Sequence, residues 1–573
     1  MTVRRELSSL NKMKSTLTSE NMEYTSVNKT YQESFKKNWD RPAISNYQGV
    51  TLKYGDVARR IAKLHIMFEE CGLQKGDKVA LCSRNQANWA VAFLATMTYG
   101  AVPVPLLHEF KSANIHHLVN HSEAKILFVD DVIWEGLSES EMPDLHAIIQ
   151  VNTFKLLYAV DDKIVQAREH LNELFGRKYP MAFTPDALDY YEDSAEELAV
   201  INYTSGTSGF SKGVMIPYRA IYSNIEFARK VLPGLNNTKS IVSMLPSAHM
   251  YGLMFELMYE LSVGAHVHFL SRVPSPKIIM QALAEVKPYL VIAVPLVIEK
   301  IYKSKVKPVL EKEGVRFLMK VPGLNQVVKN KIKEELIKAF GGEFYEVIIG
   351  GAAFNKEVES FFKEINFPFT VGYGMTECAP IITYDDWNVE KLYSCGKAAP
   401  NLEVKIDSAD PANVSGEILV KGANVFLGYY KNEEATNAVF TEDGWFRTGD
   451  MGVLDEDGCL YIRGRSKCMI LGPSGQNIYP EEVETVINSQ PYVVDSLVVE
   501  DDGGLTALIY PDFPQGAKEG MNQKEFAKFI EGTLPELNKV LPNYARLKKI
   551  RVMTEDFERT PKKSIKRYLY QRN

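Results

Sequence analysis

The sequence predicts an α/β protein with a large N-terminal domain and a small α+β C-terminal domain. Short apolar strands alternate with amphipathic helices from Thr51 to about 129, and the same rhythm returns from about 214 to 349. Short strands and turns replace it between Pro400 and Gly464, and helices and strands mix again after Arg465. Strand–helix alternation favours mainly parallel sheets covered by helices. The large domain should therefore hold several α/β subdomains and one compact β-rich unit.

Each element is inferred from its apolar periodicity and from the residues that interrupt it. Helical patterns cover Tyr54–Glu70, which Gly72 ends, Asn88–Tyr99 and Gln523–Thr533. Strands are predicted at Lys78–Cys82, Ala101–Val104, Ile126–Val129, Leu198–Ile201, Val214–Ile216, Ile241–Leu245, His266–Leu270, Leu290–Val294, Glu346–Ile349, Leu402–Ile406, Glu417–Val420, Cys459–Ile462, Ser496–Val499 and Leu505–Ile509.

These patterns divide the chain into three parts. Residues 1–28 are polar and predict a loosely held arm. Residues 29–466 form the large domain, and residues 467–573 form the small one. The second boundary is placed at Gly464–Lys467, because this polar, turn-like stretch separates two patterned regions.

Composition excludes several classes of protein. The chain is 45% hydrophobic and 24% charged, with a net charge of −6, which excludes a disordered chain and gives no sign of a nucleic-acid partner. Its six cysteines lack CxxC spacing and histidine-rich neighbours. Neither a zinc site nor a disulfide framework is therefore indicated, and a reducing compartment fits best.

One stretch has to be weighed against a membrane span. Residues 89–107 are uncharged over 19 positions, close to the length of a transmembrane helix. Gly100, Pro103 and Pro105 interrupt the stretch, as expected for a buried helix followed by a buried strand. We expect a soluble, cytoplasmic protein. The lysine-rich amphipathic region 299–340 fits a solvated helical face and leaves open a peripheral contact with anionic lipid.

Residues 201–213, Ile-Asn-Tyr-Thr-Ser-Gly-Thr-Ser-Gly-Phe-Ser-Lys-Gly, have the composition of a phosphate-binding loop. Glycines allow close backbone approach to a ligand, hydroxyls donate hydrogen bonds, and Lys212 supplies positive charge. The order Ser-Lys-Gly departs from the Walker A pattern and disfavours a P-loop ATPase. A solvated Gly/Ser linker is the competing interpretation. Apolar strands on both sides and the single lysine favour phosphate binding.

Three further stretches contain residues suited to a nucleotide and a metal ion. Gly350–Ala353 follows a predicted strand and would let a flat ring approach the backbone. Gly372–Glu377 places an aromatic face, a hydroxyl and a carboxylate within a few residues, as stacking of a base and binding of Mg²⁺ require. Trp445–Asp450 ends in a carboxylate that could accept hydrogen bonds from ribose hydroxyls. Each stretch alone could be an ordinary turn.

Together and in this order, the motifs resemble those of the adenylate-forming superfamily, which includes acyl-CoA synthetases, nonribosomal peptide adenylation domains and luciferases. The resemblance runs from about Thr51 to Arg567 and is strongest at Tyr203–Gly209, Gly372–Glu377 and Arg447–Asp450. It implies a C-terminal lid domain that rotates between two half-reactions. A carboxylate first attacks the α-phosphate of ATP and gives acyl-adenylate and pyrophosphate. A thiol, usually of coenzyme A, then displaces AMP.

The resemblance also implies a role for each matching residue of this sequence. Glu377, with Thr207, would position Mg²⁺, Thr376 would contact the α-phosphate, and Lys467 would be the hinge of the lid. His249 matches the aromatic or histidine position near the reacting carboxylate, with a satisfied core histidine as the competing interpretation. The implied nucleotide contacts are Thr204, Ser205, Gly206, Thr207, Ser208, Gly209 and Lys212 to the β- and γ-phosphates, Tyr373 with Gly351 and Ala352 to adenine, Asp450 to ribose and Arg465 to the adenylate.

The C-terminal tail departs from the pattern of long-chain relatives. The resembling segment reads Thr-Pro-Thr-x-Lys-Val-Lys-Arg, and its first lysine enters the active site during adenylation. Aligned without a gap, that position holds Ser564, and Lys563 lies one residue earlier. In an extended segment a one-residue slip reverses the side chain, so Lys563 can substitute only through a bulge or a rearranged loop. We assign the role to Lys563. Cys468, where relatives have an acid, is expected to be a small buried hydrophobe.

The segment from Leu290 to Tyr302 resembles the Val-Pro-x-x-x-Glu-Lys-Ile-Tyr stretch of long-chain fatty acyl-CoA synthetases. A fatty acid is therefore the expected substrate, with ATP, Mg²⁺ and coenzyme A as its partners in the reaction. Two alternatives stay open. The chain could adenylate another carboxylic acid or load a carrier-protein thiol, or it could be a non-catalytic nucleotide- or acyl-binding relative. The residues do not favour one oligomeric state.

Overall fold

A computed structural model describes residues 23–204, 211–271, 275–471, 477–501, 504–560 and 564–571. It confirms the predicted α/β class, with several sheets in the large domain and a small α+β C-terminal domain. Helices and strands alternate through the first 370 residues, because short apolar runs pair in parallel and the segments between them bury one face on the sheets.

Mainly parallel sheets form the body of the large domain. One sheet has the strand order Val102–Leu106, Lys78–Cys82, Ala124–Val129, Ala147–Gln150 and Leu156–Ala159, with the last strand antiparallel. A second has the order Ser240–Ser243, His266–Phe269, Pro42–Asn46 and Thr51–Lys53, again with an antiparallel last strand. A third joins Leu290–Ala293, Glu346–Ile349 and Phe369–Val371 in parallel.

The remaining sheets are antiparallel or mixed, and they surround the candidate site. Gly428–Tyr429, Lys212–Pro217 and Leu198–Thr204 form one, and Tyr373–Gly374, Ile381–Tyr384 and Lys397–Ala398 another. The predicted β-rich unit consists of Leu402–Asp407, Gly416–Gly422, Phe446–Leu454 and Leu460–Arg465. In the C-terminal domain, Ile470–Leu471 pairs with Asn477–Ile478, and Gly504–Pro511 lies between Val493–Asp501 and Leu547–Val552.

The helices cover the sheets and are amphipathic where one face meets solvent. In the large domain they are Val27–Lys37, Tyr54–Glu70, Ala87–Tyr99, Ser112–Ser122, Asp131–Trp134, Asp162–Glu169, Leu171–Lys178, Tyr218–Val231, Met250–Leu253, Met254–Met258, Tyr259–Ser262, Pro276–Val286, Pro295–Ile301, Tyr302–Val306, Lys307–Leu310, Glu313–Met319, Leu324–Ala339, Lys356–Glu364 and Glu433–Asn437. In the C-terminal domain they are Pro480–Asn488, Phe513–Lys518, Gln523–Glu531 and Leu534–Val540.

The uncharged stretch of residues 89–107 forms a buried helix and a buried strand, as predicted. Helix Ala87–Tyr99 ends at Gly100, whose φ of 88° closes the helix in the left-handed region, and strand Val102–Leu106 follows. In the described ranges no helix combines the length and apolarity that a membrane crossing requires.

The N-terminal arm ends earlier than the expected residue 28. Helix Val27–Lys37 begins at a side-chain cap from Ser26, and Val27 and Asn28 are fully buried. The Ser26 hydroxyl donates to Asp193 over 2.6 Å, and the backbone amides of Val27 and Asn28 donate to the same carboxylate. Long-range contacts to Asp193 therefore fix a stretch whose polar composition suggested a loose arm. Residues 1–22 of the predicted arm lie outside the described residues.

The C-terminal domain packs on the β-rich unit through helix Pro480–Asn488. Arg463 on strand Leu460–Arg465 donates to Glu482 over 3.2 Å, and the hydroxyls of Ser415 and Tyr479 lie 2.5 Å apart. Arg567 from the end of the chain donates to Glu484 on the same helix. The domain thus rests directly beside the end of the strand that carries Arg465.

Glu346, the first residue of a central strand, gives the fold a measurable dependence on pH. Its side chain is fully buried and accepts a hydrogen bond from the Tyr384 hydroxyl over 2.6 Å. Burial raises the pKa of Glu346 to about 8, against about 4.3 in an unfolded chain. Between these values the folded state holds a proton that the unfolded state has lost, so the contribution of Glu346 to stability falls as pH rises.

We therefore expect Glu346→Gln to flatten the dependence of melting temperature on pH. The wild-type residue should lose about 1.4 kcal/mol of stability per pH unit through this window, since the unfolded state alone gains from deprotonation. Scanning calorimetry at pH 6 and pH 8 measures the effect as the difference between variant and wild type. Equal melting-temperature changes in the two proteins would contradict the assignment.

Candidate active site

The expected phosphate loop joins two paired antiparallel strands. Leu198–Thr204 and Lys212–Pro217 pair in register up to Thr204 and Lys212, and the Thr204 hydroxyl donates to the Lys212 carbonyl over 3.5 Å. Asn202 in the first strand is fully buried. Ser205, Gly206, Thr207, Ser208 and Gly209, the predicted cradle itself, lie outside the described residues. The hairpin thus brings Thr204 and Lys212 to the two ends of the loop.

Lys212 and Glu377, far apart in the sequence, meet through Tyr429. The Lys212 ammonium lies 4.7 Å from the centre of the Tyr429 ring, and the Tyr429 hydroxyl donates to Glu377 Oε1 over 3.0 Å. Strand Gly428–Tyr429 pairs with Lys212–Pro217, which fixes this approach. Tyr429 therefore contacts a cation through its ring and a buried carboxylate through its hydroxyl, beside the hairpin of the phosphate loop.

The turn that carries Thr376 and Glu377 requires a glycine before it. A Cβ on Gly374 would lie 2.3 Å from the Pro380 carbonyl oxygen, so a larger residue cannot occupy this position. Thr376–Cys378 then forms a single 3₁₀ turn, and both Thr376 and Glu377 are buried. The backbone amide of Phe426 donates to the Glu377 carbonyl over 2.9 Å. This packing holds the hydroxyl and the carboxylate of the motif in place.

A second group of predicted residues meets at Asp450. The Tyr373 hydroxyl donates to Asp450 Oδ2 over 2.6 Å, and Arg465 Nε lies 2.7 Å from Asp450 Oδ1. Asp450 and Arg465 are direct partners across the strands Phe446–Leu454 and Leu460–Arg465. Burial raises the pKa of Asp450, while the charge of Arg465 and the hydrogen bond from Tyr373 oppose that rise. A carboxylate has further acceptor positions beyond these two contacts.

Arg465 is the charged partner of Asp450. Burial lowers the pKa of Arg465, but the charge of Asp450, with smaller contributions from Tyr373 and Glu377, raises the pKa overall. The Arg465 side chain is half-exposed, with 55% of its surface accessible. A solvent-facing cation therefore stands beside the carboxylate expected to meet ribose.

His249 and the Gly350–Ala353 turn come together through Tyr251. His249 caps helix Met250–Leu253, and the Tyr251 hydroxyl donates to the Ile348 carbonyl over 3.1 Å. A Cβ on Gly350 would lie 3.3 Å from the Tyr251 ring, so the ring packs against the backbone there. Gly351 has a φ of 86°, which favours glycine, and the exposed Ala352 follows it.

The loop before His249 is also fixed to the hairpin. The buried Asn202 side chain donates to the Ala248 carbonyl over 2.9 Å. His249 therefore follows directly after a residue bonded to the strand that leads into the phosphate loop, and its role near the reacting carboxylate stays a prediction.

The described residues of the tail pair with each other as the two arms of a hairpin. Arg559 pairs with Ile565 in an antiparallel bridge, and the Thr560 amide donates to the Ser564 carbonyl over 2.8 Å. Lys563 lies outside the described residues, so its role in the reaction stays a prediction.

The base of the tail is anchored within the C-terminal domain, because Arg559 donates to Asp495 over 2.7 Å. In the large domain, Glu299 of helix Pro295–Ile301 accepts a hydrogen bond from the Asn355 amide over 3.3 Å, just after the Gly350–Ala353 turn.

Lys467 and Cys468 occupy the short 3₁₀ turn Ser466–Cys468 between the two domains. Lys467 is exposed, as expected for a residue about which a domain could turn. Burial, with the charge of Glu481 adding to it, raises the pKa of Cys468 to about 11. The thiol therefore stays protonated near neutral pH. Cys468 is only partly buried, which differs from the fully buried side chain that was expected.

Three positioning residues were missed by sequence reasoning: Asn202, Tyr251 and Tyr429. Tyr251 and Asn202 act through backbone carbonyls of remote segments, which no local pattern reveals. The Gly-Tyr-Tyr run around Tyr429 is an aromatic, β-prone stretch in the β-rich region, and it was the one available signal.

The donor set fits a magnesium ion that arrives with a polyphosphate. In the described part of the chain, no cluster of three or more His, Cys, Asp or Glu residues could hold a metal by itself. Mg²⁺ commonly takes one or two carboxylates together with substrate phosphates and water. Glu377 beside the phosphate-loop hairpin matches that requirement.

Comparison with known proteins agrees with the fold. The profile of the AMP-binding enzyme family matches residues 31–430, and that of the AMP-binding enzyme C-terminal domain matches residues 469–573. Long-chain-fatty-acid–CoA ligase FadD15 of Mycobacterium bovis is 27% identical over 564 residues, with 89% of each chain covered.

Two solved structures share the fold at lower identity. ATP-bound MatB from Rhodopseudomonas palustris has a TM-score of 0.73 at 23% identity and covers 95% of this chain and 98% of its own. O-succinylbenzoate coenzyme A synthetase from Bacillus subtilis, in complex with ATP and magnesium ion, has a TM-score of 0.72 at 22% identity. The match covers 94% of this chain and 98% of the synthetase chain.

The fold and the two matching profiles together define a two-domain AMP-binding enzyme. Since the family profile covers well over half of the sequence, the chain belongs to the AMP-binding enzyme family, the adenylate-forming acyl-CoA ligases.

Proposed function

We propose that this protein adenylates a fatty acid with ATP and Mg²⁺ and transfers the acyl group to coenzyme A, releasing pyrophosphate and then AMP. The observation that carries the proposal is a pair of contacts: Asp450 with Arg465 and Tyr373, and Glu377 with Tyr429, over whose ring Lys212 lies. These contacts provide a ribose acceptor and a metal ligand, each close to a cation. The reaction of an anionic acid with ATP needs such charge neutralisation and alignment.

We assign the roles that the resemblance to the family implies. Lys212, Thr204 and the loop between them would hold the β- and γ-phosphates, and Glu377 with Thr207 would hold Mg²⁺. Thr376 would contact the α-phosphate.

On the other side of the site, Asp450 would accept the ribose hydroxyls, and Tyr373 with Gly351 and Ala352 would frame adenine. His249 would stand next to the acid, Arg465 would stabilise the adenylate, and Lys467 would be the hinge between the domain of residues 29–466 and the lid of residues 467–573.

A fatty acid is the favoured substrate for two reasons. The relatives with matching names, such as FadD15, are long-chain ligases that cover most of this chain, and the segment from Leu290 to Tyr302 resembles theirs. Solved structures of the same fold carry names for other acids, such as O-succinylbenzoate. The second candidate function is therefore adenylation of another acid or loading of a carrier-protein thiol, and the third is a non-catalytic relative.

An acid panel separates these candidates. The full chain would be incubated with ATP, Mg²⁺ and acids from C6 to C20, together with succinylbenzoate and aromatic acids, and pyrophosphate release would be measured with hydroxylamine as the acceptor. Coenzyme A and a carrier protein would then replace hydroxylamine. We expect pyrophosphate and a CoA thioester with fatty acids. The proposal would be overturned by any of three results. These are pyrophosphate release only with acids other than fatty acids, thioester formation only on the carrier protein, and no pyrophosphate release with any acid.

The tail hairpin leads to a prediction for Lys563. Lys563→Ala should slow adenylation about 30-fold, because one charge-assisted contact to the reacting phosphate is lost. Thioester formation from supplied acyl-adenylate should change less than threefold. Lys566→Ala is the matched control, since Lys566 lies on the same hairpin and its ammonium pairs with Glu558 over 3.2 Å. Unchanged adenylation in Lys563→Ala would remove this lysine from the reaction.

We also propose that the enzyme is cytoplasmic and touches membranes through its lysine-rich helices. Residues 299–340 contain eleven basic against five acidic residues. Phe317 and Val327 on helices Glu313–Met319 and Leu324–Ala339 are 68% and 64% exposed. Apolar side chains among lysines suit the surface of an anionic bilayer, where a fatty acid would be collected.

Phe317→Asp combined with Val327→Asp should weaken binding to vesicles at least tenfold, because two side chains that would enter the interface become charged. Co-sedimentation with phosphatidylglycerol vesicles measures the change, and phosphatidylcholine vesicles should bind weakly in every case. Val389→Asp changes an equally exposed valine elsewhere and is the control. Equal binding of both variants to phosphatidylglycerol would rule out this surface.

A further inference from the structure

A cavity of about 270 Å³ opens in the large domain, and none of its lining residues belongs to the candidate active site. It lies where helices Tyr54–Glu70, Asp162–Glu169 and Leu171–Lys178 cover the strands Ala147–Gln150 and Leu156–Ala159. This volume is slightly below the roughly 300 Å³ at which pockets for drug-sized ligands begin. The cavity therefore suits a small organic molecule and is too small for a long acyl chain.

Three cations line this cavity: Arg60, Lys63 and Arg168. Arg60 and Lys63 lie one turn apart on the same helix, and Arg168 approaches from the facing helix. Each is partly buried. Glu169 is the single acid among the lining residues, and it is exposed at the end of its helix. The cavity therefore carries an excess of positive charge in a protein whose net charge is −6.

The three cations are held by neutral oxygens. Arg60 donates to the Asn88 amide oxygen over 2.5 Å, Lys63 to the Asn172 amide oxygen over 2.7 Å, and Arg168 to the Phe154 carbonyl over 2.8 Å. Ion pairs among the described residues of this region are made by other side chains, such as Arg59 with Asp56 and Lys163 with Glu70.

Gathering these cations costs electrostatic free energy, which the charge of Asp56 offsets only in part at Arg60. Burial, together with repulsion from Arg59, Arg168 and Arg60, lowers the pKa of Lys63. Burial also lowers the pKa of Arg60. Like charges gathered in a half-enclosed space are stabilised when an anion enters, and guanidinium groups bind phosphate oxygens in pairs.

The opposite wall of the cavity is apolar. Leu64, Met67 and Ile149 contribute aliphatic side chains, and Phe154 adds an aromatic ring. A ligand that fills the space should therefore carry its charge at one end and present a flat or apolar body to this wall.

We propose that this cavity is a binding site for a small phosphate ester, separate from the site of the ligase reaction. Arg60 and Arg168 bind the phosphate oxygens, Lys63 adds its charge, and the organic part lies against Leu64, Met67 and Phe154. The phosphate group could come from a nucleoside monophosphate or from a phosphorylated metabolite without a base. Binding at this site would make the helices and strands around the cavity respond to the concentration of such a compound.

Hydrogen exchange measured by mass spectrometry tests the site on the full chain, because it separates this region from the active site. The probes are AMP, ribose 5-phosphate and inorganic phosphate, each at 0.1 to 5 mM as order-of-magnitude settings. We expect AMP or ribose 5-phosphate to protect peptides that cover residues 54–70 and 162–178. Protection by AMP alone would identify a nucleotide as the ligand, and protection by both would identify the sugar phosphate portion.

Arg168→Gln and Lys63→Gln should each raise the concentration for half-maximal protection of these peptides at least tenfold, since each loses a charged contact. Protection of residues 446–465 by AMP should stay unchanged, which also shows that the variants are folded. Arg316→Gln, an exposed arginine elsewhere, is the control. Absence of protection at 54–70 and 162–178 with all three probes, or equal protection in both variants, would overturn the proposal.

Discussion

Replacing Glu377 with glutamine should lower the rate of acyl-adenylate formation about 1,000-fold, the largest effect expected for a single site in this protein. The amide keeps the shape of the side chain and can still accept the hydrogen bond from Tyr429. It loses the negative charge that Mg²⁺ would need beside the triphosphate. Pyrophosphate release under saturating acid and varied Mg²⁺ measures the loss.

The control for this prediction is Tyr429→Phe, which removes the hydroxyl that donates to Glu377 and leaves the ring over which Lys212 lies. It should slow adenylation by about tenfold at most, because one hydrogen bond to a charged group is lost. The rate of adenylation in Lys212→Ala should lie between the rates of Glu377→Gln and Tyr429→Phe. A rate within threefold of wild type in Glu377→Gln would contradict the assignment of the metal ligand.

The second large effect is expected at Asp450. Asp450→Asn should raise the KM for ATP at least 100-fold with a smaller change in kcat, because two ribose hydroxyls lose a charged acceptor in the substrate and in the transition state alike. The affinity for AMP, measured by calorimetry, should fall by a similar factor. The ion pair with Arg465 contributes little to this loss, since that side chain is half-exposed.

Asp457→Asn serves as the matched control. Asp457 is an exposed carboxylate on the turn before strand Leu460–Arg465, where it pairs with Lys391. Its change should leave ATP kinetics within twofold of wild type. If Asp450→Asn lowers kcat and leaves the KM for ATP unchanged, Asp450 acts on the chemistry and does not bind ribose.

Local patterns predicted several strands and a few of the helices. Helix Tyr54–Glu70 and strands Lys78–Cys82 and Glu346–Ile349 have the predicted bounds, because each is a continuous apolar or amphipathic run between clear interruptions. Other elements shift by a few residues, as the strand Val102–Leu106 does against the predicted 101–104. Pairing with Lys78–Cys82 decides where that strand ends, and the local sequence pattern does not show which strands pair.

The individual parts of the candidate site were also predictable, since each motif is compact. Glycines, a carboxylate and an aromatic ring within six residues identify the Gly372–Glu377 turn without a structure. The contacts that join one motif to another could not be predicted from the sequence. Tyr429 reaches Glu377 only because strand Gly428–Tyr429 joins the hairpin of the phosphate loop, and the tail forms a hairpin where its sequence suggested an extended segment.

The sequence alone determined that this chain is an α/β protein of the adenylate-forming type, because hydrophobic periodicity and short motifs are local properties. The tertiary structure alone decided which remote side chains share one site, namely Lys212 with Glu377 and Asp450 with Arg465. It also decided that residues 26–28 are packed and that Arg60, Lys63 and Arg168 line one cavity. The physical reason is that strand register and helix packing set these distances, and both depend on the whole core.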